Sequence, residues 1–379
     1  MKILIFSWRG PKHPNAGGAE ISTHEHAKRW VKAGHKVTLF TSFYKGAKDN
    51  EIIDNVDIIR RGSQVFSVQT EAFKWYLFNK HPKFDVVIDQ FHGIPFFTPL
   101  FVNAKKIGFI HEVTKEVWKL NPWSKPFNIF PTILGTFFEP LIFKLFYKQT
   151  PFITVSDSTK KDLIEWGIPK DKITIIHNGF SFFKVPGVKK EKRKTILFLG
   201  ALSKDKGIEE ALETFSLIDS REKKWQLWVV GKSDIRYLNK LKLQCRTLSI
   251  NKRVKFWGFV SENRKYELLS RAHIVINPSI REGWGLVVIE AASVGIPTIA
   301  FNVPGLRDSI SNGHTGIICF DNTTKELARN IIKLINDTKK YKKMSSNAIL
   351  WSKNFSWEES AAKSLMLLEN IAGKNHLQS

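Results

Sequence analysis

Residues 273–301 read HIVINPS IREGWG LVVIEAASVGI PTIAF, and the order of those four blocks decides the fold class. The first block is an apolar run closed by Asn-Pro-Ser, the mark of a strand followed by a turn. Gly283 and Gly285 punctuate the loop, a helical period begins near 285, and Pro297 opens a second apolar run. Strand, helix and strand within about thirty residues make a βαβ unit, which lays two parallel strands side by side.

The alternation extends in both directions. Upstream within the same half come TILFLG at 195–200, a helix from about 206, QLWVVG at 226–231, a helix to about 249 and VKFWG at 254–258. The first half repeats the pattern: ILIFS, a helix over 18–33, VTLFT, DIIR, a helix over 66–79, DVVID, IGFI, FITV, a helix over 157–166, and ITII. Between the halves, 180–194 carries Pro, Gly and a lysine-arginine cluster without periodicity, and reads as a linker. The expected architecture is α/β: two Rossmann-like βαβ domains, 1–180 and 181–356, with parallel sheets facing an interdomain cleft. A final amphipathic helix over 357–371 is expected to pack back on the first domain.

Composition narrows the class. The chain has 379 residues, 42% of them hydrophobic and 12% aromatic, enough apolar surface to exclude disorder. The greasiest stretch, 127–143, is interrupted by Pro131, Gly135, Glu139 and Pro140, too broken for a membrane span. The first apolar run ends at Arg9 without a cleavage site and reads as a strand rather than a signal peptide. Cys245 and Cys319 form no CxxC pair, so neither a disulfide framework nor a zinc site is indicated, and a cytoplasmic setting is expected. The net charge is +24, with +9 in residues 1–180 and +15 in the rest, so no single basic tail accounts for it. That excess favours an anionic partner: nucleic acid, a membrane surface or a nucleoside diphosphate. No zinc-finger spacing, RNP-like strand or base-reading basic helix accompanies it, so nucleic acid is not expected.

Three loops carry candidate chemistry. Gly17-Gly18-Ala19-Glu20 follows the first strand and opens a helix, where free N–H groups suit a phosphate; a glycine pair alone serves a turn equally well. Lys204 and Lys206, after TILFLG, occupy the equivalent position in the second half, and a lysine ahead of a helix N-terminus is unfavourable unless it meets an anion. In the third loop Arg281 and Glu282 precede Gly285 and Leu286, with Glu290 in the following helix. A carboxylate accepts from both hydroxyls of a sugar diol, and the helix start offers N–H groups to a diphosphate. Glu290 interrupts the apolar run LVVI-AA, where an unpaired carboxylate is costly to bury.

Together these stretches resemble the retaining glycosyltransferases of family 4, which have the two-Rossmann GT-B architecture. The markers are GGAE at 17–20, His111-Glu112 after IGFI, ITIIHNG at 173–179, LFLG with Lys206-Gly207, REGWGLVVIEA and GIPTIAFNVPGLRD. The resemblance implies a hexosyl-type transfer from a UDP- or GDP-sugar to an acceptor, with retained configuration, no cofactor and no essential metal. It places His111 beside the transferred sugar, Glu282 on the donor sugar and Lys206 on the diphosphate. Glu290 would take the ribose hydroxyls, and the backbones of Gly285 and Leu286 the phosphates and ribose. Gly17 and Gly18 would let the first domain approach the phosphates or acceptor. One position departs: where members often carry arginine after the strand glycine, this chain has Ala201, with Lys204, Lys232 or Arg281 to substitute. An epimerase or hydrolase on the same fold, or a weak nucleotide-binding pseudoenzyme, are the alternative readings.

The acceptor is expected on the first domain. Lys115, Lys119 and Lys125 lie among Trp118, Trp123 and Phe127, a mixture suited to anionic headgroups, so a lipid-linked or envelope-glycan acceptor and a peripheral position on the inner face of the membrane are expected. On this reading 115–130 is the exposed interfacial segment, while Phe137 to Tyr147 is as readily a core helix.

Overall fold

The structure, a computed structural model, describes residues 1–65, 67–120, 129–181, 188–219 and 224–373. The chain divides into two units, Met1–Gly179 with Ser356–Ser379, and Phe180–Phe355. In the first, chain order is β1 (Lys2–Ser7), α1 (Gly18–Lys32), β2 (Lys36–Thr41), β3 (Asn50–Ile53), β4 (Val56–Arg60), α2 (Val68–Phe78), β5 (Val86–Gln90), α3 (Thr98–Phe101), β6 (Lys105–Ile110), α4 (Ile129–Ile142), β7 (Phe152–Thr154), α5 (Asp157–Glu165) and β8 (Ile173–Ile175). The eight strands stand in the order β3-β4-β2-β1-β5-β6-β7-β8. Ile5 of β1 is in register with Leu39 on one side and Ile88 on the other, both parallel. Ile3 to Phe6 are all buried, the continuous apolar run of a strand covered on both faces.

One strand departs from the parallel expectation. β3 pairs antiparallel with β4, Ile53 opposite Val56, around a two-residue turn in which Asp54 and Asn55 have φ of 49° and 61°. Short polar side chains tolerate the left-handed region, and a turn with both central residues there matches the twist of a hairpin.

The second unit runs β9 (Lys194–Leu199), α6 (Ile208–Asp219), β10 (Trp225–Val230), α7 (Ile235–Thr247), β11 (Val254–Gly258), α8 (Glu262–Arg271), β12 (Ile274–Asn277), α9 (Leu286–Ser293), β13 (Thr298–Ala300), α10 (Leu306–Ser309), β14 (Gly316–Ile318), α11 (Thr324–Asn336) and α12 (Thr338–Ser352). Its strand order is β11-β10-β9-β12-β13-β14, every pair parallel. This is the doubly wound arrangement in which the order reverses between the first and fourth strands, here β9 and β12, leaving a crevice at their carboxyl ends. Ile196, Leu227 and Ile274 face one helical layer, Leu197, Trp228 and Val275 the other.

The stretch read as a linker is partly docked: Glu191 N–H donates to Arg271 O and Lys190 to Ala272 O, closing the end of α8. The last helix, α13 (Trp357–Ala372), belongs to the first unit. There Trp30 Nε1 donates to Ala361 O, and His26 Nδ1 lies 2.8 Å from Ser364 Oγ. Among the described residues, no helix is long and apolar enough to cross a membrane.

Candidate active site

The strand order of the second unit brings two of the loops together at the β9/β12 reversal. After β9 the chain passes Gly200 and the exposed Ala201, makes a 3-10 turn over Lys204–Lys206, and reaches Gly207 just before α6. Gly207 has φ +72°, and a Cβ there would stand 2.0 Å from Pro278 O of the β12 loop, so only glycine lets the loops close. Ile280 N–H then donates to Asp205 O at 2.8 Å, and Lys206 Nζ lies 3.0 Å from Glu282 Oε1. Ser279 Oγ donates to the same carboxylate oxygen at 2.8 Å, and Glu282 N–H reaches Pro304 O of the β13 loop. Two sequence candidates, Lys206 and Glu282, thus form one ion pair, each partly open to solvent.

Gly285 caps α9 with φ +80° and no side-chain cap. Val288 N–H donates back to Gly285 O at 2.8 Å, so among the described residues it is the N–H groups of Leu286 and Val287 that have no intrahelical acceptor at the positive end of the helix dipole. Trp284, buried edge-on against Phe355 at 5.1 Å, pins the loop from below. Of the other basic candidates, Lys204 is exposed and Arg281 is buried. Lys232, whose carbonyl accepts from Leu202 N–H, turns its ammonium over the Phe259 ring.

Glu290, whose carboxylate would be costly to bury alone, has a partner: Lys265 of α8 holds its Oε1 at 2.8 Å, and the same ammonium meets Glu262 at 2.8 Å. Burial raises the Glu290 pKa while Lys265 pulls it back. Burial likewise works against the Lys265 ammonium, but the two carboxylates outweigh it and hold its pKa above the ordinary value. Lys265 therefore offsets part of the cost of burying the Glu290 carboxylate, a pairing that the sequence motif does not reveal.

The first unit has its own reversal between β1 and β5. His111 follows β6, with its carbonyl accepting from Thr159 Oγ1 and its ring 4.6 Å from that of Phe109. Burial, with His92 nearby, lowers its pKa to about 3, so the imidazole is neutral. Among the described residues its Nε2 is buried without a partner, as are Trp8 Nε1, Gln90 Nε2 and Glu112 Oε2. A buried polar atom left unpaired costs about 1–3 kcal/mol. All four lie at the carboxyl ends of β1, β5 and β6, the end of a parallel sheet at which ligands of such folds bind. Trp8 and Gln90 were not candidates in the sequence; their only signal is their position at the ends of central strands.

Gly17 and Gly18 stand at the start of α1, but the Gly17 N–H is already used: it donates to Glu20 Oε2 at 2.7 Å, while Glu20 Oε1 meets Arg9. An anion at this helix start would meet Gly18 and the following N–H groups instead. Of the segment expected to face a membrane, Trp118 is half-buried rather than exposed: it packs over Gly135 and donates to Glu139 Oε2. Trp123, Lys125 and Phe127 lie outside the described residues. Phe143 and Tyr147 are core, whereas Phe137, Phe138, Leu145 and Phe146 are exposed. Among the described residues, no group of three or more His, Cys, Asp or Glu side chains is placed to hold a metal ion.

Comparison with known proteins gives the same outline. Residues 16–181 match the family model described as Glycosyltransferase Family 4, and residues 180–351 that of Glycosyl transferases group 1. The chain is 28% identical over 368 residues to an uncharacterized glycosyltransferase of Methanocaldococcus jannaschii, covering 89% of this chain and 90% of the relative. Among solved structures it is similar to sucrose-phosphate synthase from Thermosynechococcus elongatus, with a TM-score of 0.82 at 20% identity over 99% of this chain and 100% of that one. Anabaena HepE in complex with UDP-glucose aligns with a TM-score of 0.73 at 18% identity, over 97% of this chain and 100% of the other.

Proposed function

Because the chain belongs to the family 4-type GT-B glycosyltransferases, we propose that it moves a hexosyl group from a UDP- or GDP-sugar to a lipid-linked or envelope-glycan acceptor, with retained anomeric configuration. The observation that carries the donor half is the Lys206–Glu282 pair at the β9/β12 reversal, beside the uncapped start of α9. In this reading the diphosphate takes Lys206 and the N–H groups of Gly285 and Leu286, with Lys204 and Arg281 adding positive charge. Glu282, freed from Lys206, turns to the sugar hydroxyls, and Glu290 accepts from the ribose diol. The UDP-glucose bound by the HepE neighbour supports this ligand class.

Transfer breaks the bond between the anomeric carbon and the β-phosphate oxygen, which keeps the electron pair. The acceptor oxygen forms the new bond, and its proton passes to the departing β-phosphate oxygen, so that the nucleoside diphosphate leaves with both the electron pair and the proton. Positive groups held in place before the reaction stabilise the departing diphosphate. Side chains and backbone supply that charge here, so the reading needs no metal ion. On the first unit, neutral His111 acts as a hydrogen-bond partner of the transferred sugar, and Glu112 and Trp8 offer the acceptor their unpaired atoms. Gly17 and Gly18 leave the first turn of α1 open to approach.

A thermal-shift panel of UDP, GDP, ADP and their sugars, with and without EDTA, tests the donor reading. One base should raise the melting temperature, insensitive to EDTA, and Glu290→Ala should abolish the shift. No shift with any nucleotide would overturn it.

A further inference from the structure

We infer that the outer face of α4 and of the π-helical turn Phe143–Tyr147 that continues it is a docking surface for an anionic lipid bilayer, on which the protein lies without crossing. The inference deepens the reading of a lipid-linked acceptor and rests on that reading for its purpose. Ile133, Phe137, Leu141 and Leu145 recur every four residues and so share one face, with exposures of 61, 68, 36 and 63%. Phe146 carries the surface onward, meeting Phe97 edge-on at 5.8 Å, next to exposed Leu100 of α3. Apolar residues scattered singly need no explanation, whereas a continuous apolar face does.

The opposite side of the helix is fixed, so this face cannot turn inward. Glu139 accepts from Thr114 N–H and from Trp118 Nε1, Thr132 Oγ1 donates to Trp118 O, and Tyr147 OH donates to Asp89 Oδ2 at 2.6 Å. Phe143 fills the core between them.

Charge selects the occupant. Glu139 is the one carboxylate in 129–148, and it is buried on the inner side. Lys144 and Lys148 are exposed at the carboxyl end of the stripe, and among the described residues no carboxylate lies within ion-pair distance of either. A second copy seated here about a two-fold axis would set lysine faces together with no anion between them. Anionic headgroups meet those lysines while the rings and aliphatic side chains enter the acyl boundary.

The test is co-sedimentation of the full chain with vesicles of phosphatidylcholine alone or with 30% phosphatidylglycerol, an arbitrary anionic probe, alongside light scattering for oligomeric state. Wild type should bind the anionic vesicles. Phe137→Ser with Leu145→Ser should weaken binding at least about tenfold, and Lys144→Glu with Lys148→Glu about thirtyfold or more. All four positions are exposed, and unchanged melting temperatures would show that the variants are folded. Absence of vesicle binding, or equal binding by the variants, would overturn the inference. So would a wild-type dimer that the Phe137/Leu145 variant converts to monomer, which would assign the face to a second copy. Transfer to a detergent-dispersed lipid-linked acceptor tests the functional reading separately: retained transfer with no vesicle binding leaves that reading standing and removes this one.

Discussion

Two histidines of the first unit make its stability fall in mild acid, by an amount the structure allows to be worked out. His26 is fully buried between α1 and α13, its Nδ1 2.8 Å from Ser364 Oγ and its Nε2 3.1 Å from Ser360 Oγ, ringed by Trp30, Phe109 and Trp357. Burial first, then the neighbouring His111 and Arg29, lowers its pKa to about 3; His111 is lowered to about 3 by burial and His92. In the unfolded chain both titrate near pH ~6.5. A base with a depressed folded pKa binds fewer protons when native, so its stabilisation is present above the unfolded pKa and is lost as pH falls from there toward about 3. Between pH 7 and pH 5 each histidine should cost about 2 kcal/mol, a sizeable part of a typical folding free energy. The perturbation is His26→Gln, which keeps a side chain able to bond both serines but does not titrate. Urea unfolding followed by tryptophan fluorescence is the assay. From pH 7 to pH 5 the wild-type midpoint should drop by roughly 1 M more than that of the variant. Parallel decline of the two midpoints would refute the burial argument.

The same neutral His111 should leave kcat without an inflection near pH 6.5 in folded enzyme, and His111→Ala should lower kcat more than it raises donor KM; the reverse split would make it a binding residue. Lys206→Ala should slow turnover by about two to three orders of magnitude, as loss of a leaving-group stabiliser does. Its coupling to Glu282→Gln in ligand-free stability should be only about 0.2–1 kcal/mol, because both groups reach solvent; a double-mutant cycle measures both, and turnover within a factor of two of wild type would remove Lys206 from the diphosphate. Lys265→Met should cost about 3 kcal/mol by stranding Glu290. That cost should be larger at pH 8 than at pH 5, because Glu290 already has a raised pKa and the native state then sheds its proton against burial alone. A cost independent of pH in urea melts would mean that Glu290 does not need its partner.

Much of the fold was legible because buried parallel strands read as unbroken apolar runs. Ile3 to Phe6, Val86 to Ile88 and Ile274 to Ile276 have both faces covered, so apolar identity alone located them. The β3–β4 hairpin gave no such signal. Asn50 and Ile52 are exposed on an edge strand, and only the Asp54-Asn55 turn announced it. The exposed stripe on α4 was hidden for a related reason. A helix apolar on both sides looks the same in sequence whether its outer face meets protein or something else, and it took the anchors at Glu139 and Tyr147 to tell the sides apart.

The site was legible loop by loop, but its pairings were not, because they depend on strand order. Lys206 follows β9 and Glu282 follows β12, strands that become neighbours only because β10 and β11 are laid down on the opposite side of β9. Lys265 lies 25 residues before Glu290, on a helix whose face toward α9 is set by how both pack on the sheet. A motif therefore names charges without their counter-charges. This changes the chemistry assigned to them: without donor, Glu282 is not an open acceptor and Lys206 is not an open cation, since each occupies the other. A nucleotide sugar that carries both an anionic diphosphate and hydroxyl donors can replace both halves of that contact at once, whereas a bare anion replaces one half and leaves a carboxylate beside it. On the proposed donor reading, the pair favours a ligand with phosphate and sugar on one molecule, a selectivity that neither residue holds alone.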